Sequence, residues 1–367
     1  MREKLALLLS LVAVAMLALL LLQLAASWVA PGLGFYANLW AVDLAVYAVS
    51  IVALFVAAGA LGRFLTPTPP SLDALRASML ATGAGVIGGA LLVFAGLAEL
   101  LGAGLTTQLA ALALGFAAVP ALFSWLLSPA IINLSYGCKP DPSLQEIVNK
   151  VAARSGMKPP KAVIARMKEP NAFAYSSPLF GRYVAVTEGM LNLASREELE
   201  AVIGHELGHH KHRDNTVMLV FGLVPSFVYF LGRYLMLAGT HSGSYYEGGG
   251  RRGGNAGWLL LLAGIALIVV SVIMQLLVLA LSRLREHYAD LHGAEVTSPD
   301  AMISALQRLD AFYKRFRGAL AEVSTSKLKM LYIYALASPV FSLEELFATH
   351  PPIEKRVAFL RSLKGAI

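Results

Sequence analysis

Three residues near the middle of the chain have the types and spacing needed to hold a metal ion and activate water. His205, Glu206 and His209 lie in the segment AVIGHELGHHKHRDN, residues 201–215, which contains four of the chain's eight histidines. On a helix, His205 and His209 share a face about 6 Å apart along the axis, so two imidazoles can grip one ion. Glu206 lies about 100° round the helix, near enough to reach a water molecule beside the metal without being a ligand. Chance alone would produce this pattern in roughly one chain in a hundred of this composition.

The preceding residues predict the helix that this arrangement requires. Ser195 with Glu198 three residues later is a capping box, which places the start of the helix there. Leu199, Val202 and Ile203 then supply an apolar face. A His-Glu-x-x-His pattern on a helix is the arrangement of metallopeptidases, and chance does not explain the cap.

Two histidines and an open position need one more protein ligand. The best candidate segment is SRLREHYAD, residues 282–290, which predicts a helix with Glu286 and Asp290 on one face. One of these carboxylates can bind the metal while the other accepts a hydrogen bond from the far nitrogen of a ligand histidine. His287 and His292 are rival ligands, although they point elsewhere on the same helix.

The composition places much of the chain in a lipid bilayer. Of the 367 residues, 57% are hydrophobic and only 14% are charged, whereas soluble domains carry about 25% charged residues. The formal charge of +7 then indicates basic cytoplasmic loops rather than nucleic-acid binding. The single cysteine, Cys138, excludes an internal disulfide and a cysteine-based zinc finger. Six apolar runs are long enough to be membrane helices: Leu5–Val29, Val42–Leu61, Met79–Leu101, Leu105–Leu127, Thr216–Leu237 and Trp258–Leu281.

The distribution of lysine and arginine predicts the orientation of these helices. Basic residues precede the first run, lie between the second and third, and follow the fourth, whereas none lies between the first and second or the third and fourth. The N-terminus, the polar segment after the fourth run and the C-terminus are therefore all predicted to be cytoplasmic. Arg251 and Arg252, between the last two runs, would face outward, but these two residues do not outweigh the other basic residues.

These observations predict a mainly α protein with six membrane helices and a cytoplasmic α+β domain. The polar segment contains three short strand candidates, KAVIAR, NAFAYS and RYVAVTEG. The expected division has four parts: 1–135 with four membrane helices, 136–215 with the small sheet and the histidine helix, 216–282 with two membrane helices, and 283–367 with the helices that complete the site.

Four blocks of sequence together resemble the HtpX/Ste24 family of integral-membrane zinc metalloproteases, the M48 class. They are EPNAFAY, HELGHHKHRD, SRLREHYAD and THPPIEKR, in the same order as in the family, over about residues 140–367. The resemblance is closest to the HtpX branch, whose members degrade damaged membrane proteins in quality control. It implies a zincin-like metalloprotease domain with one Zn²⁺ per chain on His205, His209 and Glu286. It also implies that Glu206 is the general base and that Asp290 supports a ligand histidine.

The resemblance extends to residues that would contact the substrate. His350 and Arg356 match family residues near the active site, and we expect His350 to be the stronger candidate for stabilising the oxyanion of the intermediate. The expected partners are polypeptides, above all membrane proteins, and the lipid bilayer, and no nucleic acid is expected. The sequence does not predict an oligomeric state. The matching active-site edge strand, which can pair with substrate, consists of Asn171, Ala172, Phe173 and Ala174.

The chain departs from the family at its N-terminus. HtpX proteins usually have two membrane helices before the protease segment, and four are counted here. The first 135 residues are therefore not covered by the resemblance, and we expect them to provide anchoring and substrate access.

Other functions remain as alternatives. A Ste24-like processing protease with a defined substrate is the runner-up. A metal-binding transporter would place polar residues deep in several membrane helices, but here they lie near the helix ends, and a catalytically dead scaffold would lack Glu206 or a ligand. Two lesser expectations are that His210 and His212 are exposed, and that Gly204 and Gly208 permit close packing of another element.

Overall fold

The structure, a computed structural model, describes residues 34–65, 69–241, 253–315 and 350–363. The mainly α prediction is confirmed for these residues, which form ten helices and one four-stranded sheet. In chain order the elements are α1 (Gly34–Leu65), α2 (Leu72–Leu101), α3 (Ala103–Ser135), β1 (Lys139–Pro140), α4 (Pro142–Arg154), β2 (Lys161–Ala165), β3 (Ala172–Ser177), β4 (Gly181–Thr187), α5 (Glu188–Leu193), α6 (Arg196–Lys211), α7 (Asp214–His241), α8 (Gly253–Val296), α9 (Pro299–Arg315) and α10 (Ile353–Ser362).

Four of the described helices, α2, α3, α7 and α8, are long and apolar enough to cross a membrane. They contain the third to sixth predicted runs. The second predicted run falls within α1, where Val42–Leu54 forms a shorter apolar stretch. The first, Leu5–Val29, lies outside the described residues, so the count of six membrane helices stays a prediction.

The chain divides into two compact units, and the first consists of residues between 34 and 61, 86 and 118, and 222 and 275. Its helices pack through apolar side chains such as Leu97, Val228 and Leu267. Arg233 Nε on α7 donates to Asp43 Oδ1 on α1 at 2.7 Å. These two residues lie near the ends of predicted membrane runs and neutralise each other, which lowers the cost of charge in lipid.

The second unit contains the sheet, with the strand order β1-β2-β4-β3. Strands β2 and β4 are parallel, and β3 pairs antiparallel with β4. The three predicted strands are confirmed within a residue or two, whereas the two-residue strand β1 was not predicted. Because β4 is the only strand that pairs with β3 among the described residues, β3 is an edge strand of this sheet.

Helix α6 packs across the sheet and is fixed at its start by the predicted capping box. Ser195 accepts from the Glu198 N–H, and the Glu198 side chain accepts from the Ser195 N–H. Leu199, Val202 and Ile203 are buried in a core shared with the sheet and α4. The predicted start and apolar face of this helix are therefore both confirmed.

Two glycines let α8 approach α6 closely, as expected. A Cβ atom at Gly204 would lie 2.5 Å from Val296 Cγ2, and one at Gly208 would lie 3.1 Å from Ala289 Cα. Any larger side chain would force the two helices apart. This contact brings the last turns of α8, with Glu286 and Asp290, alongside the two histidines of α6.

Candidate active site

Three side chains from two helices converge on one point. Nε2 of His205 lies 3.1 Å from Nε2 of His209 on α6. Glu286 on α8 places Oε2 3.5 Å from the first nitrogen and Oε1 3.4 Å from the second. These three residues form a group whose ligand atoms all lie within 4.8 Å of one another, so they could hold a metal ion.

The spacing of these atoms fits zinc. Donors about 2.0–2.1 Å from a tetrahedral zinc ion lie about 3.3–3.4 Å from one another. The observed separations of 3.1, 3.4 and 3.5 Å surround this value. Two imidazoles and one carboxylate also match the set that leaves a fourth position open in catalytic zinc sites.

The outer nitrogens of the histidines strengthen the case for a cation. His205 Nδ1 lies 2.9 Å from Asp290 Oδ1, and His209 Nδ1 lies 2.7 Å from an oxygen of Asp214. An ionised carboxylate only accepts hydrogen bonds, so each Nδ1 carries the hydrogen. In the neutral rings both Nε2 lone pairs then face the buried Glu286 carboxylate. Three electron-rich atoms at this range repel unless a positive charge lies between them.

The first histidine is held by a fully buried chain of contacts. Asp290, next to His205, also accepts from Arg356 Nε at 2.7 Å, and all three side chains are at most 1% exposed. Burial lowers the pKa of His205, but the hydrogen bonds and charges of Asp290 and Glu286 outweigh it and raise the pKa to about 9. The pocket therefore strongly favours positive charge on or beside this imidazole.

The second histidine has an equivalent support that the sequence analysis missed. Asp214 at the start of α7 contacts His209 with one oxygen and Arg285 with the other. Arg285 also donates to the carbonyl of His212 at 3.0 Å. The only signal in the sequence is an aspartate five residues after His209, at the predicted start of the next helix, and an arginine beside Glu286.

Two further predicted residues lie at this site. Glu206 follows His205 on α6 and is buried, with 2% of its surface exposed. His350 Nδ1 lies 2.7 Å from Glu286 Oε2, and its Nε2 is buried without a hydrogen-bond partner among the described residues. The structure thus places His350 beside the carboxylate of Glu286. Arg356 contacts the same carboxylate directly, with Nη1 3.8 Å from Oε2, and also pairs with Asp290.

The remaining histidines of the two helices lie away from the ligand atoms. His287 packs against the Phe359 ring, and His292 Nε2 lies 3.1 Å from Ser155 Oγ. The expectation that His210 is exposed was wrong: it is 7% exposed, and its Nε2 lies 2.8 Å from the carbonyl of Tyr183. Burial, the main cause, lowers the pKa of His210 to about 4, so this side chain ties α6 to the sheet as a neutral group.

Comparison with known proteins places this site in a family. Residues 139–364 match Peptidase family M48. The chain belongs to this family. Both helices of the site and the sheet lie within the matched residues, as do His350 and Arg356.

Two similar relatives of this M48 protease are archaeal proteins. It is 46% identical over 260 residues to a protease HtpX homolog of Archaeoglobus fulgidus, covering 66% of this chain and 74% of that protein. It is 41% identical over 309 residues to one of Aeropyrum pernix, covering 77% of this chain and 93% of that protein. The crystal structure of S. mikatae Ste24p aligns with 20% identity and a TM-score of 0.49, over 77% of this chain and 64% of that one.

The family match and the HtpX relatives confirm the resemblance noted in the sequence. The chain is an HtpX-like protease of the M48 family, and its long apolar helices make it a membrane protein. As a protease it acts on polypeptides.

A cleft of the M48 protease runs beside His209 and along β3. Its volume is about 290 Å³. It is lined by Ala174, Ser176, Arg182, His209, His210, Arg213, Asp214, Asn215 and Thr216. The cleft therefore joins the edge strand to one of the histidines that could bind the metal.

The backbone N–H and C=O groups of successive β3 residues point alternately towards β4 and towards the open edge of the sheet. The Thr187 N–H donates to the carbonyl of Asn171 at 2.9 Å, and such pairs recur at every second residue of an antiparallel ladder. Phe173 and Tyr175 therefore face β4 with their backbone groups, and Ala174 and Ser176 face the open edge. Of the four residues predicted to bind substrate, Ala172 and Ala174 face the open edge with their backbone groups. Ala174 presents both a donor and an acceptor there, whereas the Ala172 N–H is already donated to Asn171 Oδ1 at 2.9 Å.

Proposed function

We propose that this chain is a zinc-dependent endopeptidase that cleaves misfolded or damaged membrane proteins at the cytoplasmic face of the membrane. The observation that carries the proposal is the convergence of His205, His209 and Glu286 at zinc-ligand spacing, with Glu206 on the same helix. The proposed assignment is one zinc ion held by these three ligands, with Asp290 and Asp214 orienting the two imidazoles.

In this proposal each residue has a separate part in hydrolysis. His205, His209 and Glu286 would hold the zinc ion, which would supply Lewis acidity towards the scissile carbonyl and a water molecule. Glu206 takes a proton from the attacking water molecule and passes it to the leaving amide nitrogen as the C–N bond breaks. Asp290 and Asp214 keep both Nδ1 atoms protonated, so both Nε2 atoms remain available as ligands.

His350 is our candidate for contact with the reacting carbonyl oxygen. Its Nδ1 is held beside Glu286, while its buried Nε2 has no partner within the described part of the chain. A buried hydrogen-bonding group without a partner is destabilising unless something else contacts it. The developing oxyanion of a bound peptide is a suitable partner for this imidazole.

The proposed location follows from charge and from the relatives. Basic residues lie on alternate sides of the predicted membrane helices, which favours a cytoplasmic protease segment and C-terminus. The relatives at 46% and 41% identity are named protease HtpX homologs, which favours broad quality control over the alternative, a Ste24-like protease with one defined substrate.

The decisive experiment is digestion by the purified full-length protein. We expect cleavage of casein and of an unfolded model membrane protein, loss of both activities with 1,10-phenanthroline, and recovery when zinc is restored. Cleavage that survives complete removal of zinc would contradict the proposal. Cleavage of one defined peptide but of neither protein would instead favour the processing alternative.

Glu206→Gln separates the base from the ligands. We expect this variant to lose at least about a thousandfold in kcat, because the general base and proton donor is gone, and to retain one zinc ion per chain. Metal analysis and the casein assay on the same preparation measure both. Near-normal activity of this variant would refute the assigned role of Glu206, and a loss of zinc would show that Glu206 also supports the metal.

A further inference from the structure

Two arginines without a carboxylate partner in the described part of the chain line the cleft beside His209. Arg182 at the start of β4 and Arg213 between α6 and α7 both line it. Neither has a carboxylate within 4.0 Å in the part of the chain that the structure describes. The acidic residue of the cleft, Asp214, is already bonded to His209 and Arg285.

The backbone of Arg213 is in an unusual conformation. Its φ angle of 55° makes it the one non-glycine residue with positive φ among the described residues. This left-handed conformation is unfavourable for an arginine and recurs at functional sites. Here it ends α6 and directs the chain into α7, so a cationic residue is kept at the mouth of the cleft in a place where glycine would be less strained.

The register of the sheet shows which substrate side chains Arg182 can meet. Ser176 lies opposite Arg182, and Ala174 lies opposite Val184. Residues directly opposite in neighbouring strands have side chains on the same face. Arg182, Ser176 and Ala174 therefore share one face, the face that borders the cleft.

An extended peptide added to the open edge of β3 would continue this face. The peptide would lie about 10 Å from β4, two strand spacings away. Between them, on the face of the cleft, β3 presents only the small side chains of Ala174 and Ser176, so the long side chain of Arg182 can extend over them. Substrate side chains opposite these two residues then point into the arginine-lined cleft.

We propose that this cleft is a subsite for an acidic substrate residue. Resting on the peptidase function proposed above, the inference is that Arg182 and Arg213 bind a glutamate or aspartate side chain of a peptide paired with β3. Alternate residues of a strand face opposite sides. The preference therefore applies to every second residue of the bound substrate and not to the residues between them.

The test is a set of matched peptides cleaved by the full-length protein in detergent. Each position around the scissile bond carries Glu, Gln or Lys in turn, in an otherwise constant sequence. At positions two residues apart, we expect kcat/KM to be about tenfold higher for the Glu peptide than for the Gln peptide. A charge-assisted hydrogen bond contributes about this factor. Equal rates for Glu and Gln at every position would overturn the proposal, as would a preference that ignores the alternation.

The second part of the test reverses the charge of each arginine in the cleft. Arg182→Glu and Arg213→Glu should each shift the preferred peptide from Glu towards Lys, while Arg361→Glu, an exposed arginine on α10, should leave the preference unchanged. Arg182→Gln and Arg213→Gln serve if a reversal prevents folding, and they should abolish the preference without reversing it. A Glu preference that persists in all four variants would overturn the assignment.

The outcome separates this inference from the peptidase proposal. Chelator-sensitive cleavage without any charge preference would refute only the subsite. The absence of chelator-sensitive cleavage from every peptide and from casein would refute the peptidase, and the subsite with it.

Discussion

The two histidines that could bind the metal have the same kind of support but different surroundings. Each Nδ1 is bonded to an aspartate, and each aspartate to an arginine: Asp290 and Arg356 behind His205, Asp214 and Arg285 behind His209. We call these the inner and outer relays. The side chains of the inner relay are 0–1% exposed, whereas those of the outer relay are 9–17% exposed.

This difference suggests different tasks for two chemically similar arrangements. The inner relay is sealed among α6, α8 and α10, so its charges have no water to replace a lost partner. The outer relay borders the substrate cleft through His209 and Asp214. We infer that the inner relay fixes the site to the fold, and that the outer relay holds a ligand next to a region that must admit substrate.

The largest difference is expected in folding stability. Arg356→Ala removes the cation from a fully buried pair and leaves Asp290 uncompensated, which typically costs about 3–5 kcal/mol. Arg285→Ala should cost less, about 1–2 kcal/mol, because water can reach Asp214. Thermal unfolding of the zinc-free proteins in detergent measures both, with Arg361→Ala on the same helix α10 as the exposed control. Equal losses for Arg356→Ala and Arg285→Ala would remove the distinction between the relays.

Zinc affinity should show the next largest difference. Replacement of groups that orient metal ligands typically costs about 10–100-fold in metal affinity. We expect Asp290→Asn to approach about 100-fold, and Asp214→Asn to approach about tenfold, because solvent can solvate His209 Nδ1 but not His205 Nδ1. Competition with a calibrated chelator measures both constants. A greater loss for Asp214→Asn would reverse the assigned roles.

A smaller effect is expected from the helix contact beside the inner relay. In Gly204→Ala the new methyl group would lie 2.5 Å from Val296 Cγ2 and 3.0 Å from Gly293 Cα. We expect a loss of about 1–3 kcal/mol from overpacking, and weaker zinc binding as α8 moves away from α6. Gly222→Ala is the matched control, since a Cβ there meets nothing within 4 Å. Unchanged zinc affinity in Gly204→Ala would show that Glu286 and Asp290 tolerate this displacement.

The smallest effect should fall on both relays alike. Ser195→Ala removes the side chain that caps α6, which typically costs about 1 kcal/mol. Both histidines lie on this helix, so stability should fall while the ratio of the zinc losses caused by Asp290→Asn and Asp214→Asn stays the same. Repeating the chelator competition in the Ser195→Ala background measures that ratio. A changed ratio would mean that the cap supports one relay more than the other.

Local patterns explain what could be predicted from the sequence. A capping box, apolar spacing and the i, i+4 separation are properties of one helix, so the start of α6 and the shared face of His205 and His209 were predictable. The pairing of Glu286 and Asp290 was inferred in the same way, from a single helix face. The alternation of apolar residues likewise predicted three strands.

What could not be predicted depends on how distant segments pack. Asp214 contacts His209 because the chain turns at Arg213, and no periodicity reveals that turn. His210 is buried because a sheet carbonyl lies beside it, although a helix of this sequence would present it as polar surface. The direction of each backbone group in β3 follows from its register with β4, which the sequence of one strand does not contain.

The hydrogen bond from the Ala172 N–H to Asn171 Oδ1, at the edge of β3, has a consequence for the products of digestion. Because Asn171 Oδ1 occupies the Ala172 N–H, the open donors of this edge are those of Ala174 and Ser176, two residues apart. A bound chain that slides by one residue turns every side chain to the opposite face, whereas a slide of two restores the pattern. We therefore expect cuts within one extended stretch of substrate to be separated by even numbers of residues, a spacing that can be read from the masses of the released peptides.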